Sequence, residues 1–164
     1  MVKTRAPRLV LVDSHTLAPY SVQGFQFLSR AASFAEHWPS PVELWLPGVA
    51  IPPDRMLRAL ALTRWPDNLR VQFGPAPQIR LGPFRIKTKS SFRAWVAKRL
   101  REISSEPHQP ILYYRTLRLP ALLRPLLTTF GFRYFFEPHE IFFESARNPA
   151  KFRLLRQGRQ QVLG

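Results

Sequence analysis

Ionisable side chains follow two short apolar segments in the second half of the sequence. The segments are ILYY at 111–114 and RYFF at 133–136, and each is typical of a buried strand. The residues that come next are Arg115 after the first segment, and Glu137, His139 and Glu140 after the second. His139 could act as a general base or bond a hydroxyl or a phosphate of a ligand; alternatively, it only closes the strand and bonds a neighbouring glutamate.

Arg115 lies where a charge is costly unless it has a partner, because it directly follows an apolar strand. Two interpretations stay open: a structural ion pair with Glu137 or Glu140, and a clamp for a phosphate or carboxylate of a ligand. The two glutamates could themselves bind an acceptor, orient His139 or pair with the abundant arginines. The sequence has no histidine or carboxylate spacing typical of a metal site, so we expect no metal.

A second polar group follows the first apolar run, residues 8–12. It comprises Asp13, Ser14 and His15, with Gly24 further along the same predicted loop. A glycine before a helix lets a ligand approach the backbone closely, so these four residues are candidate substrate-binding positions. Neither the dinucleotide fingerprint nor a P-loop occurs, which counts against a nicotinamide-dependent dehydrogenase and against a nucleotidase.

Strand-like and helix-like segments alternate along the chain. Strands are predicted at 8–12, 42–46, 69–73, 111–114 and 133–136, and helices at about 25–38, from 52, from 90, at 119–130 and at 148–157. Gly131 is expected to stop the fourth helix, and residues 74–88 are predicted to form a loop. This alternation predicts one α/β domain over 1–164, with a Rossmann-like open, mostly parallel sheet in the order 3-2-1-4-5 and helices on both faces. A right-handed crossover then places the ends of strands four and five at one crevice.

The composition limits the partners and the surroundings of the protein. The 164 residues carry 25 Lys or Arg against 10 Asp or Glu, so the net charge is +15 and polyanions should be attracted; a solvated basic surface is the alternative. The chain has no cysteine, no apolar run long enough to span a bilayer and no signal-peptide pattern, so cytoplasmic residence is expected. The basic, aromatic stretch 85–101 could rest on an anionic membrane, or its apolar residues could belong to the core.

The pattern Tyr-Tyr-Arg, a leucine-rich helix and then Phe-Glu-Pro-His-Glu resembles the family 4 glycosyltransferases, and within them the N-terminal, acceptor-side half of the two-domain GT-B fold. The resemblance is clearest over 111–145 and weaker over 8–48. It implies transfer of a hexosyl-type sugar from a nucleotide-sugar donor to an acceptor hydroxyl, with retention of anomeric configuration and with no cofactor or obligatory metal. It also implies that His139 is the catalytic residue, while Glu137, Glu140 and Arg115 shape the wall of the crevice.

The second domain of that family, which grips the nucleotide and contributes two glutamates separated by seven residues, has no counterpart in the sequence. The chain is therefore expected to be a fragment or one chain of a split enzyme, and to be inactive alone. The partners implied are a nucleotide-sugar and a glycan or lipid-linked acceptor, with a separate donor-domain chain and the inner face of an anionic membrane as further candidates.

The rival hypothesis is a non-catalytic basic module that binds nucleic acid or an anionic membrane. It explains the charge directly, but not why Arg115 and residues 137–140 should gather at one sheet edge.

Overall fold

The computed structural model describes residues 7–17, 22–76, 78–81, 84–87, 89–106, 109–115 and 118–137. His139, Glu140 and the helix expected at 148–157 lie outside these ranges. The strands are β1 (Leu9–Val12), β2 (Val42–Pro47), β3 (Leu69–Gly74), β4 (Gln78–Leu81), β5 (Phe84–Lys87), β6 (Ile111–Tyr114) and β7 (Tyr134–Phe136). The helices are α1 (Val22–His37), α2 (Pro53–Ala59), α3 (Lys89–Ser104) and α4 (Arg118–Thr129).

Five of these strands form a parallel sheet in the order β3-β2-β1-β6-β7. The predicted Rossmann-like α/β fold is confirmed, and so is the predicted strand order, because strands four and five of the sequence prediction are β6 and β7. The direction in which strands are added reverses between β1 and β6. The topological switch point, beside which α/β sheets bind their ligands, therefore lies between these two strands.

Helices cover both faces of the sheet, and each face has its own apolar cluster. On one face, α1 packs through Phe27 and Leu28 onto Leu9, Leu11 and Leu44. On the other face, α3 and α4 enclose a second cluster, which includes Val10, Val12, Trp45, Val96, Leu100, Leu112, Tyr114, Leu123 and Leu127. Every residue of β1 and β2 is buried, which explains why these strands are nearly continuous apolar runs in the sequence.

One carboxylate is buried inside this apolar sheet. Glu43 on β2 is only 2% exposed, and it accepts hydrogen bonds from Arg8 (2.6 Å), from the indole of Trp45 (2.9 Å) and from Gln72 (2.8 Å). Arg8 also reaches the carboxylate of Glu106 just after α3 at 2.7 Å. Three donors and a cationic partner offset the cost of removing this charge from water.

The prediction of a loop at 74–88 is wrong over most of that range. β4 and β5 pair antiparallel as a separate two-stranded ribbon, with Ile79 opposite Ile86 and Arg80 opposite Arg85. In the sequence, QIRL and FRIK do alternate apolar and polar residues, which is the strand period. Each run is only four residues long and a Gly-Pro pair separates them, so the alternation was too short to stand out from the surrounding turn residues.

The predicted ends of the helices agree more closely with the structure than the predicted loop does. Gly131 has a φ of +64° two residues after the last residue of α4, which confirms the left-handed stop predicted there. α1 begins at Val22, three residues earlier than expected, so Gly24 lies in its first turn instead of before it. None of the helices in the described part of the chain combines the length and the apolar character needed to cross a membrane.

Candidate functional site

The carboxyl ends of three neighbouring strands meet at one edge of the sheet. Val12 of β1, Tyr114 of β6 and Phe136 of β7 are aligned across the sheet as register partners. The residues that directly follow these three are Asp13, Arg115 and Glu137. Residues from the beginning and from the end of the described chain therefore stand side by side at the edge where a ligand of this fold is expected.

Asp13 is fully buried and holds the start of the loop after β1. Its Oδ1 accepts hydrogen bonds from the backbone amide of Ser14 (2.6 Å) and from Nδ1 of His15 (2.9 Å). Because a carboxylate can only accept, Nδ1 carries the proton, and Nε2 is the nitrogen that a neutral His15 leaves for a ligand. The second carboxylate oxygen of Asp13 is buried and has no hydrogen-bond partner among the described residues.

This pairing changes the acidity of the imidazole. The hydrogen bond to Asp13 stabilises the imidazolium and raises the pKa of His15 above 6.5, while burial and the nearby positive charge of Arg115 act in the opposite direction. The imidazole is 38% exposed, so the ring can be reached from outside. A histidine that a carboxylate holds in one tautomer, and whose ring can be reached from outside, has the properties of a general base.

Arg115 extends from β6 over the first turn of α1. Its Nη1 donates to the backbone carbonyl of Gln23 (3.2 Å) and its Nη2 to the side-chain oxygen of Gln26 (2.9 Å). Both acceptors are uncharged, so they fix the position of the guanidinium without neutralising its charge. Of the two interpretations left open by the sequence, the ion pair is not seen between Arg115 and any described carboxylate, and Glu137 has Arg30 as a cationic partner. Glu140, the other predicted partner of Arg115, lies outside the described residues.

Glu137 is held from two sides. One of its carboxylate oxygens pairs with Arg30 of α1, and the other accepts a hydrogen bond from the hydroxyl of Tyr113 on β6. The ring of Tyr113 packs in turn against Phe34 at a centroid distance of 5.4 Å and against Phe27 at 5.9 Å. The carboxylate is therefore positioned by a strand, by a helix and by an aromatic cluster together.

A cleft of about 540 Å³ opens between α1 and the ends of β6 and β7. The residues that line it are Gln26, Phe27, Ser29, Arg30, Ser33, Arg115 and Glu137. Its volume lies in the range that small-molecule sites occupy. Hydroxyls, an amide, a carboxylate and guanidinium groups line it beside one aromatic ring, and a polyhydroxylated ligand can exchange many hydrogen bonds with such a set.

The remaining predicted positions differ in their surroundings. Ser14 is exposed, whereas Gly24 is buried against the loop after β1. A Cβ at Gly24 would come within 2.7 Å of the carbonyl oxygen of Thr16, so the missing side chain makes room for the chain's own loop. His139 and Glu140 lie outside the described residues, and the binding or catalytic roles assigned to all eight positions stay predictions.

The cleft also contains residues that sequence reasoning missed. Gln26, Ser29, Arg30 and Ser33 recur at the spacing of one helix face, and this polar ridge of α1 forms one wall. The spacing was visible in the sequence, but an exposed polar ridge is the ordinary outer face of an amphipathic helix. Nothing local distinguishes the face that meets solvent from the face that meets a cleft.

Within the described ranges, no group of three or more histidine, cysteine or carboxylate side chains could hold a metal ion.

The sheet order and the helical layers on both faces define a Rossmann-like α/β fold, and the structural neighbours of the chain are GT-B glycosyltransferases. One neighbour is Phytolacca americana UGT2 complexed with UDP-2fluoro-glucose and pterostilbene, with a TM-score of 0.54 and 18% sequence identity over 82% of this chain. The apo form of UGT2 gives a TM-score of 0.51 with the same identity over 80% of this chain.

The likeness to UGT2 is one of fold, since 18% identity carries no information about substrate or residue roles. This chain spans only 30% of the UGT2 chain in the complex and 29% of the apo chain. No protein-family model matches the sequence, and no curated protein matches it either. The glycosyltransferase fold implied by the sequence resemblance therefore has independent structural support, whereas the family 4 subtype does not.

Proposed function

We propose that this chain is the acceptor-binding half of a GT-B glycosyltransferase, which moves a sugar from a nucleotide-sugar donor to an acceptor hydroxyl. The observation that carries the proposal is the cleft at the ends of β6 and β7, with the His15–Asp13 pair at the end of the adjacent β1. A transferase needs a site for a hydroxylated acceptor and a group that receives the proton of the attacking hydroxyl. The described residues offer a candidate for each at one edge of the sheet, and this supports the proposal.

His15 is the residue that we assign to that proton. Its Nδ1–H is bonded to Asp13, so a neutral imidazole presents Nε2 as the acceptor, and the imidazolium that forms would be stabilised by the carboxylate. The sequence resemblance assigned the catalytic role to His139 instead, and that assignment stays open. Substitution separates the two: in the assembled enzyme, we expect His15→Gln to lower kcat by about 10²-fold or more, the usual contribution of a general base.

The stereochemistry of the reaction is a further part of the proposal. The family 4 resemblance implies retention of anomeric configuration, with no metal and no cofactor. An inverted product would contradict retention and would indicate a single displacement, in which the acceptor attacks opposite the leaving nucleotide. His15 can take the proton of the acceptor hydroxyl in either case, so its assigned role does not depend on this outcome. The anomeric configuration of the product, measured by NMR during the first turnovers, decides between retention and inversion.

Binding of the acceptor can be tested on the chain as it stands. We expect neutral mono- and disaccharides to perturb the backbone NMR signals of α1 and of the ends of β6 and β7 selectively. Ser29→Trp should fill the cleft and abolish these shifts, whereas Ser105→Trp, an equal enlargement at an exposed position beyond α3, should leave them unchanged. Saccharides that bind nowhere, or that bind the Ser29→Trp variant equally well, would contradict the proposal.

The donor side belongs to the proposal as well. We propose that residues 1–164 form one domain and that a donor-binding half, on the same or a separate chain, completes the enzyme in the cytoplasm or at the inner face of an anionic membrane. The isolated chain should therefore release no nucleotide above background from a nucleotide-sugar in the presence of acceptors. Measurable sugar transfer by these 164 residues alone would refute that expectation.

A further inference from the structure

We propose that Arg115 makes the cleft specific for a ligand that bears a phosphate group. The inference rests on the proposed function and deepens it, because it names the chemistry of the ligand that the acceptor-side cleft takes. The sequence left Arg115 open between a structural ion pair and an anion clamp. The contacts of the described chain favour the clamp.

The first argument is the way in which Arg115 is held. A guanidinium has five N–H donors in a planar fork, and Arg115 uses one on the Gln23 carbonyl and one on the Gln26 amide oxygen. These two bonds aim the group while leaving other donors without a described acceptor. Since both acceptors are neutral, the charge stays available for a ligand. A fork that is already oriented loses less entropy when it binds an oxyanion.

The second argument is the contrast between the two cations of the cleft. Arg30 is paired with Glu137, so its charge is compensated inside the cleft wall. Arg115 lines the same cleft, and none of the carboxylates described in the chain pairs with it. Its field is nevertheless felt nearby, because Arg115 acts to lower the pKa of His15. Among the described residues, the cleft thus holds one arginine paired with a carboxylate and one arginine that pairs with none.

The third argument is the chemistry that surrounds the guanidinium. Ser29 and Ser33 lie one helical turn apart on α1 and line the cleft together with Arg115. An arginine fork with hydroxyl donors beside it suits the several oxygens of a phosphate, whereas a neutral hydroxyl offers a single weak acceptor. A phosphorylated sugar acceptor and the diphosphate of a nucleotide-sugar share this chemistry, and the experiment separates these two sources.

The test is isothermal titration of the full chain at 0.15 M salt with glucose, glucose 6-phosphate and UDP. We expect glucose 6-phosphate to bind at least about tenfold more tightly than glucose, and Arg115→Gln to remove most of that difference. Arg93→Gln is the matched control, because it removes the same charge from an exposed position on α3. Tighter binding of UDP that is lost in Arg115→Gln would assign the clamp to the donor diphosphate instead of the acceptor.

Two outcomes would overturn the inference. Equal losses in Arg115→Gln and Arg93→Gln would mean that phosphate responds only to the overall basic charge. An unchanged preference for glucose 6-phosphate in an Arg115→Gln variant with an intact NMR spectrum would mean that another group binds it. In either case, binding of the neutral saccharides in the cleft would leave the acceptor-site proposal standing; loss of all saccharide binding by the wild-type chain would refute that proposal instead.

Discussion

At the scale of single residues, the pair of Asp13 and His15 shows how a site is built from local geometry. Asp13 is buried because it ends a strand that is covered on both faces, and its Oδ1 gathers the amide of Ser14 and the ring of His15. The imidazole thereby acquires a fixed tautomer and a fixed direction. An aspartate and a histidine two residues apart in a loop sequence would not by themselves establish the tautomer or the direction of the ring.

The first prediction concerns the titration of His15. Asp13→Asn keeps an oxygen for the hydrogen bonds but removes the negative charge, so the pKa of His15 should fall. The measurement is an NMR pH titration of the imidazole carbon-bound protons, with His37, exposed at the end of α1, as the internal control. An unchanged pKa at His15 would show that the carboxylate charge does not reach the ring.

The same pair makes stability depend on pH. Since the pKa of His15 is raised in the folded state, the pair stabilises the fold fully below the unfolded value of 6.5 and loses this contribution as the pH rises through the folded value. His15→Gln should therefore cost more stability at pH 5.5 than at pH 8.5. The difference should not exceed about 1 kcal/mol, because the pair is partly exposed and screened. Urea unfolding at the two pH values measures it, and an equal cost at both would contradict this assignment.

Gly24 gives a third prediction at this scale. Gly24→Ala places a Cβ 2.7 Å from the Thr16 carbonyl oxygen, and a backbone atom cannot swing aside as a side chain can. We expect a loss of about 1–3 kcal/mol, the usual cost of overpacking, which outweighs the gain of at most about 1 kcal/mol in helix propensity. Ser33→Ala on the same helix should stay within about 0.5 kcal/mol. A stabilised Gly24→Ala variant would show that the loop relaxes freely.

At the scale of elements, the sheet positions the site from one end and is held together at the other. β1, β6 and β7 deliver Asp13, Arg115 and Glu137 to the carboxyl edge. Towards the opposite end of the sheet, Glu43 on β2 links Arg8 with Gln72 on β3. A polar network with this many partners fixes the relative position of strands that apolar packing alone would allow to slide.

The prediction at the scale of elements tests that network. Glu43→Ala leaves Nη1 of Arg8 and the donors of Trp45 and Gln72 without their buried acceptor, while Nη2 of Arg8 keeps its bond to Glu106. Unfolding should therefore become easier by about 1–3 kcal/mol, the usual cost of buried donors left without a partner. Glu106→Gln removes only the partly exposed partner of Arg8 and should cost about 1 kcal/mol or less. Chemical denaturation of both variants provides the comparison. Equal effects would mean that burial of Glu43 adds nothing to the strength of the pair.

At the scale of the whole molecule, the net charge of +15 is the property that the cleft does not explain. The phosphate proposal uses only one of these positive charges, that of Arg115. The remaining excess must act over the surface as a long-range field, which raises the local concentration of any polyanion. This is the observation that keeps the basic binding module as a rival hypothesis.

The prediction at the scale of the whole molecule separates that rival from the transferase half. If the charge only creates a diffuse field, affinity for a random single-stranded oligonucleotide should be weak at 0.15 M salt and should show no dependence on Ser29→Trp or Arg115→Gln. Fluorescence anisotropy between 0.05 and 0.3 M salt measures it. Strong binding at physiological salt, with a steep salt slope and a loss in the cleft variants, would favour nucleic acid as the true ligand.

The sequence by itself determined the order of the strands in the sheet and the polar residues that follow their carboxyl ends. Each strand is a compact apolar run, and its period and the polar residues that end it are local properties, so the order 3-2-1-4-5 and the position of Arg115 and Glu137 followed from general rules. The short ribbon of β4 and β5 was not predicted, because an alternation of only four residues is a weak signal for a strand.

Only the tertiary structure decided the partners of those residues. The pairing of Glu137 with Arg30, the anchoring of Arg115 by Gln23 and Gln26, and the orientation of His15 by Asp13 depend on how α1 lies across the strand ends. A charged side chain has several candidate partners of equal chemistry, and the sequence ranks none of them. Packing of α1 on the sheet brings Arg30 within bonding distance of Glu137 and places Gln23 and Gln26 beside Arg115, and no local property of the sequence specifies that geometry.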